Sequence, residues 1–416
     1  MYRGVLANRN FLKLWGAQLS SQIAAQLLNY ALLIRIYDIA SKSSNLANSA
    51  VSLLIVAIGL PAILLAVPAG AYVDHRDRKM VLFWTNLIRA ILVPLFIIVD
   101  TQILAVYIIV FVISIASQFF VPAEGAALPK LVRKDQLVAA NSLFIFTLNA
   151  SFIVGYSMAG PIISRFGIHS VYLVVTVAFM LATLLTSLLP KIPAVVQGRF
   201  QLGAILRSIR GDLKRHFFEI IGTKTLLFPI LLISLAQTIV GIVAALAPAM
   251  SKELFAVGLE QSSYWLVIPA GLGLVLGSVA AAELLRRRNK VKVIYGALFA
   301  AAGLMSMLPL LRLLGGQGSL RPITALGTFT LGLLDALILV SAQTLLQYAS
   351  TDRLRGQIFG TLNMMINIAA LLPVFAAGLL ADRFDALPVL GGLGVMLALV
   401  GFVLLSQFHG ISRQYS

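Results

Sequence analysis

Cysteine is absent from this 416-residue chain. Neither a disulfide framework nor a thiolate metal site can form. Histidine is scarce, with only His75, His169, His216 and His409 scattered along the chain. None of them forms a His-Glu-x-x-His or closely spaced His pair, which speaks against a histidine metal centre. Charge is scarce as well. Charged residues make up 11% of the chain, against roughly 25% in soluble domains. So few charges cannot cover a water-exposed surface of this size, which excludes the string of soluble domains that ~150 residues per domain would suggest. No Gly-x4-Gly-Lys-Ser/Thr loop occurs, so the ATP-phosphate cradle is missing too.

What the chain has instead is apolar length. Hydrophobic residues make up 60% of it, and its mean hydropathy is +0.96. A membrane-spanning helix needs ~20 mostly apolar residues. Twelve such runs stand out, at about 11–36, 49–72, 80–99, 103–121, 138–164, 168–189, 225–250, 262–284, 291–314, 322–348, 356–381 and 386–408. Barrel strands would alternate in polarity over ~10 residues, and these runs do not. The first run exceeds a signal-peptide core of ~7–15 residues and carries Gln18, Gln22 and Gln26, so it counts as the first span. The connections that remain are mostly too short to fold separately. The expected class is therefore an all-α polytopic membrane protein.

The one long connection, 191–224, divides the spans into two sets of six. The expected organisation is an N-terminal six-helix half at 1–190, a cytoplasmic linker at 191–224 and a C-terminal six-helix half at 225–416. Within the linker, Leu202, Ile205, Ile209, Leu213, Phe217 and Ile220 recur at helical spacing, with Arg207, Arg210 and Lys214 on another face. This pattern predicts a basic amphipathic helix lying on anionic lipid.

The net charge is +17, which would ordinarily raise a nucleic-acid hypothesis. The distribution removes it. Of the 32 Lys and Arg residues, 24 fall at the termini and in the connections on one side of the spans, six on the other, and Arg35 and Arg89 within spans. The positive-inside rule then predicts that both termini are cytoplasmic. The surplus reports orientation, and no nucleic-acid partner is expected. A faint repeat supports the two halves. Asp135-Gln136-Leu137 precedes the fifth span and Asp352-Arg353-Leu354 the eleventh, as in parallel duplications of transporters.

The loop after the second span reads Gly70-Ala71-Tyr72-Val73-Asp74-His75-Arg76-Asp77-Arg78-Lys79. It resembles the signature loop of the major facilitator superfamily, Gly-x-x-x-Asp-Arg-x-Gly-Arg-Arg/Lys. Gly70, Asp74, Arg78 and Lys79 match; His75 and Asp77 depart from the pattern. Further stretches are similar to the branch holding macrolide-efflux and enterobactin-exporter proteins: Phe119-Phe120-Val121-Pro122-Ala123-Glu124, Ala140-Asn141-Ser142-Leu143 and Arg355-Gly356-Gln357-Ile358-Phe359. The resemblance covers essentially the whole chain. It implies the major facilitator fold and a gate in which Gly70, Asp74, Arg78 and Lys79 latch the halves on the cytoplasmic side. Glu124, placed at the cytoplasmic end of the fourth span, is the expected partner of Arg78. A plain charged loop obeying the positive-inside rule is the alternative. Ser151, Gly155 and Ala159, followed by Gly160-Pro161, resemble the Gly-Pro element of antiporter-type members; close helix packing with a proline kink explains them equally.

Polar side chains in hydrocarbon must face a protein interior or water. Gln18, Gln22, Gln26 and Asn29 share one face of the first span. Ser114 and Gln118 lie on the fourth span and Asn141 and Asn149 on the fifth. Ser234 and Gln237 lie on the seventh, Asp335, Gln343 and Gln347 on the tenth, and Asn363 and Asn367 on the eleventh. The family resemblance implies that spans one, four, seven and ten line a central cavity, so these residues are substrate-cavity candidates; interhelical bonding is the other reading. Asp335 is the sharpest of them. It lies ~18 Å into its span at ~1.5 Å per residue, near mid-membrane, where an acid is a functional suspect by default. It is the candidate for proton coupling. Arg89 is expected to bond carbonyls or a carboxylate inside the N-terminal half as a buried structural charge. Arg35 is expected to pair with Asp38 one turn away.

These features predict a monomeric secondary transporter of a bacterial plasma membrane, without cofactor or metal. It would exchange protons for an amphipathic or cationic small molecule by alternating access. A lipid or lysophospholipid carrier of the same fold is the alternative. An intramembrane enzyme would need a nucleophile or metal constellation that the spans lack.

Overall fold

The structure, a computed structural model, describes residues 2–194, 220–255, 263–287, 289–312, 321–349 and 355–408. The linker run 202–219 and the repeat residues Asp352-Arg353-Leu354 lie outside the described residues.

Among the described residues there is no strand. Hydrocarbon offers no partner to a backbone amide or carbonyl, so an apolar run must satisfy them within itself, as a helix does. Among the described residues, twelve helical spans are long and apolar enough to cross a membrane, the third being Arg78–Ile98, in which a short helix Leu95–Ile98 follows the main one. In chain order their main helices are α1 (Arg9–Ser43), α2 (Ala47–Asp74), α3 (Arg78–Leu92), α4 (Ile103–Leu131), α5 (Leu137–Phe166), α6 (Ile168–Ser187), α7 (Lys224–Met250), α8 (Ile268–Arg287), α9 (Lys290–Met307), α10 (Arg321–Ala349), α11 (Arg355–Phe384) and α12 (Ala386–Gln407). A short helix, Tyr2–Leu6, precedes them. The expected spans are recovered in number and order, and most helices project past them. The fourth expected span was to end at 121, but α4 continues through Pro122 and Pro129 to Leu131.

Two connections shrink to one residue. Gly167 alone joins α5 to α6, with φ 78° and ψ 168°, and Asp385 alone joins α11 to α12, with φ 66° and ψ 164°. Glycine adopts this region freely; an aspartate there is strained by about 1–3 kcal/mol. The junctions occupy corresponding places in the two sets of six helices, an echo of the repeat that the sequence shows only faintly.

Two compact units group the chain: Met1–Arg35 with Ala57–Gly211, and Ile36–Val56 with Asp212–Ser416. In the first, α3 packs against α4 and α6. An apolar cluster containing Phe11, Leu82, Phe120 and Phe144 knits α1, α3, α4 and α5 together. Trp15 Nε1 donates to Thr147 Oγ1 at 2.8 Å. Gly155 of α5 backs onto α1 so closely that an added methyl would lie 2.6 Å from Gln26 Cβ. Ser151 and Ala159, on the same stripe, are buried. The stripe is thus a packing seam in this structure.

In the second unit, α8 and α10 are in backbone contact. A methyl added at Gly273 or Gly332 would strike the carbonyl of Phe329 or Ala270 across the seam, and one at Gly277 would lie 2.8 Å from Leu333 Cα. Small residues permit this approach. The segment 36–56 is tied in by carboxylates on helix N-termini, a favourable placement for negative charge. Asp382 accepts from Asn48 N at 2.8 Å, Ser49 N at 2.9 Å and the Ser49 hydroxyl. Glu253 caps α12 by accepting from Ala386 N at 2.8 Å and Leu387 N at 3.2 Å. Lys252 Nζ sits 4.8 Å from the Tyr37 ring centroid.

Candidate functional site

Asp335 stands at the midpoint of the 29-residue α10. Fourteen residues separate it from either helix end, ~21 Å at ~1.5 Å per residue. It is 7% exposed. Neither carboxyl oxygen has a hydrogen-bond partner among the described residues. A buried polar group normally finds one, and an unpaired carboxylate in an apolar interior is costly. Beside Gly332 the α10 backbone next to Asp335 packs directly against α8. The second unit therefore carries a lone acid in its interior, positioned but unsatisfied.

The first unit buries two side chains of opposite charge. Arg89 of α3 is 3% exposed. Its Nε donates to Thr85 O at 3.0 Å and its Nη2 to Asn86 Oδ1 at 2.8 Å. The guanidinium carbon lies 4.6 Å from the Phe120 ring centroid and 4.8 Å from that of Phe179. Aromatic faces stabilise a desolvated cation in this way. Glu124, one turn beyond Phe120 on α4, is 5% exposed and electrostatically coupled to Arg89. Its Oε1 has no hydrogen-bond partner among the described residues.

Here two expectations are corrected. Glu124 does not sit at the end of α4: the helix continues seven residues to Leu131, so the acid is inside the unit. It does not bond Arg78 either. Arg78, 1% exposed, donates its backbone N to Ile192 O at 3.0 Å and its Nη1 to Pro193 O, and its Nη2 lies 3.9 Å from Asp74 Oδ1. The next residue back completes this grip. Asp77 Oδ1 accepts from Lys79 N at 2.9 Å, capping α3, and from Ile192 N at 3.1 Å. The two departures from the family loop diverge in use: Asp77 anchors chain, while His75 Nδ1 meets Ala71 O at 2.8 Å in its own helix. No spacing in the sequence could have pointed from 77–78 to 192–193. Gly70 has open space around it: an added methyl would find nothing within 4 Å among the described residues. Asp74 is exposed and Lys79 half-buried.

The polar stripes divide. Gln18 is 1% exposed and its Nε2 donates to Phe144 O at 3.4 Å, so it bonds α1 to α5. Gln22, Gln26 and Asn29 are half-buried. Ser114 is buried, and half-buried Gln118 donates to its carbonyl at 3.3 Å. Asn149 is exposed and bonds its own helix at Ile145 O, 3.0 Å. Ser234 is buried, Gln237 and Gln343 exposed, and Asn367 half-buried. The Asn363 and Gln347 side chains fall outside the described residues. Arg35 also reaches beyond its own helix. It pairs with Asp100, Nε to Oδ1 at 2.9 Å, where His169 also approaches at 3.2 Å. Asp38 pairs with Lys42 at 2.8 Å.

Comparison with known proteins agrees with this architecture. A family model described as Major Facilitator Superfamily matches residues 14–374. The uncharacterized MFS-type transporter YfiS of Bacillus subtilis is 25% identical over 408 residues, 95% of this chain and 94% of the relative. Macrolide efflux protein A of Streptococcus pyogenes is 24% identical over 253 residues, 59% of each chain. Among solved structures, a bacterial homolog of the human lysosomal transporter Spinster superposes with a TM-score of 0.76. It is 10% identical, with 98% of both chains covered.

Proposed function

Since the chain belongs to the major facilitator superfamily, and is thus a multi-pass membrane transporter of a small molecule and not an enzyme, we propose that it exports an amphipathic or cationic organic compound in exchange for protons. The observation that carries the coupling is Asp335: a carboxyl at mid-span, buried, with both oxygens unpartnered among the described residues. A carrier that moves protons needs a group that exists protonated in one step and paired in another, and an intramembrane acid meets that need. In this reading Glu124 is held by Arg89 and is the less available of the two buried acids. The half-buried and exposed amides Gln22, Gln26, Asn29, Gln118, Asn149, Gln237 and Gln343 supply neutral hydrogen-bonding groups for an organic substrate. A cation would meet Asp335 as its only deep uncompensated acid among the described residues. Outward direction is supported by the likeness to a macrolide efflux protein, and a bacterial plasma membrane by the organisms of the relatives. The halves 1–190 and 225–416, joined by 191–224, are the repeats that alternate access in this scheme.

The test is gradient-driven uptake into inverted vesicles. With an imposed proton gradient the wild type should accumulate a fluorescent lipophilic cation. Asp335→Asn should bind the dye with similar affinity and lose the gradient-driven component at least tenfold. Gradient-driven uptake equal in the variant and the wild type removes Asp335 from the coupling step. No uptake by the wild type, together with gradient-dependent flipping of a labelled phospholipid, would replace export of organic cations with lipid transport.

A further inference from the structure

A groove of ≈700 Å³ opens on the first unit between α2 and α3, floored by Phe119 of α4. Its walls are apolar. Leu65, Pro68 and Tyr72 come from α2, and Met80, Trp84 and Ile88 from α3. Met80, Trp84 and Ile88 are 46%, 51% and 39% exposed. On a membrane-spanning helix such exposure faces acyl chains, since lipid is the solvent there. From Arg76 to Leu65 the groove runs eleven residues, ~16 Å at ~1.5 Å per residue. That is about half of a ~30 Å hydrocarbon core, the depth of one leaflet.

The mouth is polar, lined by Arg76 and Asp77, and the two charges differ in how far they are already engaged. Arg76 is exposed, with its guanidinium carbon 5.4 Å from the Tyr72 ring centroid. No carboxylate pairs with Arg76 among the described residues. The acid beside it, Asp77, is spent on the backbone amides of Lys79 and Ile192, and Asp74 lies towards Arg78. The groove therefore ends on Arg76, a cation with no carboxylate partner among the described residues, at the mouth of an apolar slot one leaflet deep. Arg76 also belongs to the cation-rich side of the chain, where anionic headgroups gather.

We propose that this groove is a binding site for an anionic phospholipid, with its headgroup at Arg76 and one acyl chain lying along Tyr72, Pro68, Met80, Trp84 and Ile88. The site is built from residues of the first unit alone and includes none of the second unit, to which Asp335 belongs, and the cation at its mouth opposes entry of the cationic substrates proposed above. It stands whether or not that transport reading holds.

Trp84 provides the probe. The full-length protein is placed in vesicles of phosphatidylcholine with either dibrominated phosphatidylglycerol or dibrominated phosphatidylcholine, and quenching is recorded for the wild type and for Trp84→Phe. The difference isolates Trp84 from Trp15 and Trp265. The Trp84 component should be quenched at least threefold more effectively by the brominated glycerol lipid. Arg76→Gln should abolish that preference, and Arg76→Lys should keep most of it. Arg76 is exposed, so both variants should unfold at the wild-type temperature. Equal quenching by the two lipids, or a preference that survives Arg76→Gln, overturns the assignment. Displacement of the brominated lipid by a lipophilic cation also overturns it, because the groove would then take substrate.

Discussion

Of the charged side chains buried among the described residues, Arg89, Glu124 and Asp335 lie well inside their helices and are handled in two different ways. Arg89 is surrounded by what a cation needs in a dry interior: a carbonyl, an amide oxygen, two aromatic faces and the nearby acid Glu124. Asp335 has none of the corresponding partners among the described residues. Removing one member of a buried pair leaves the other uncompensated, at roughly 3–5 kcal/mol. Glu124→Gln should therefore lower stability by about that much. The double variant Arg89→Gln/Glu124→Gln should recover a large part of the loss, because no lone charge remains. Chemical unfolding of the purified protein measures both, and strictly additive losses would show that the two side chains act independently. The Arg89–Glu124 relation was only half legible beforehand. Arg89 stood out as a charge inside an apolar run. Glu124 was set at a helix end because the run's hydropathy fades at Pro122, although the helix does not stop there.

At the scale of elements, glycines do two kinds of work that their sequence context does not separate. Gly273, Gly277 and Gly332 allow α8 and α10 to meet backbone to backbone, while Gly70 has open space around it. Overpacking a tight seam costs ~1–3 kcal/mol or more. Gly332→Ala should lower the melting temperature in detergent by several degrees and reduce the yield of monodisperse protein. Gly70→Ala should leave stability unchanged or slightly raised, since alanine is the better helix former by ~1 kcal/mol. A Gly70→Ala variant as unstable as Gly332→Ala would contradict the packing seen here. The same scale explains Asp77. In the family loop its position is usually glycine; here its carboxylate caps α3 and holds Ile192. That couples the loop to the chain leaving α6, a role that motif matching alone would score as a mismatch.

At the scale of the whole molecule, orientation is the property that the charge distribution argues for. Twenty-four of the 32 basic residues lie at the termini and in the connections assigned to the cytoplasm, and the energetic preference for that placement is general. A fluorescent protein fused to the C-terminus should fluoresce, and alkaline phosphatase fused after Lys252 should be active, because the charge distribution assigns that connection to the outer side. The reverse pattern would invert the topology and, with it, the leaflet from which the α2–α3 groove draws its lipid.

Fold class, the number of spans and the one-sidedness of charge were determined by the sequence itself. Hydrocarbon forces every apolar run of sufficient length into a self-satisfied helix, and that constraint depends on run length and composition alone. Partner choice was decided only in three dimensions. Arg35 reaches Asp100, 65 residues away, Arg78 meets the carbonyls of Ile192 and Pro193, and Arg89 lies in the field of Glu124. Each partner is set by which helix faces pack together. Because those faces are nearly uniformly apolar, their pairing leaves little trace in the order of residues along the chain.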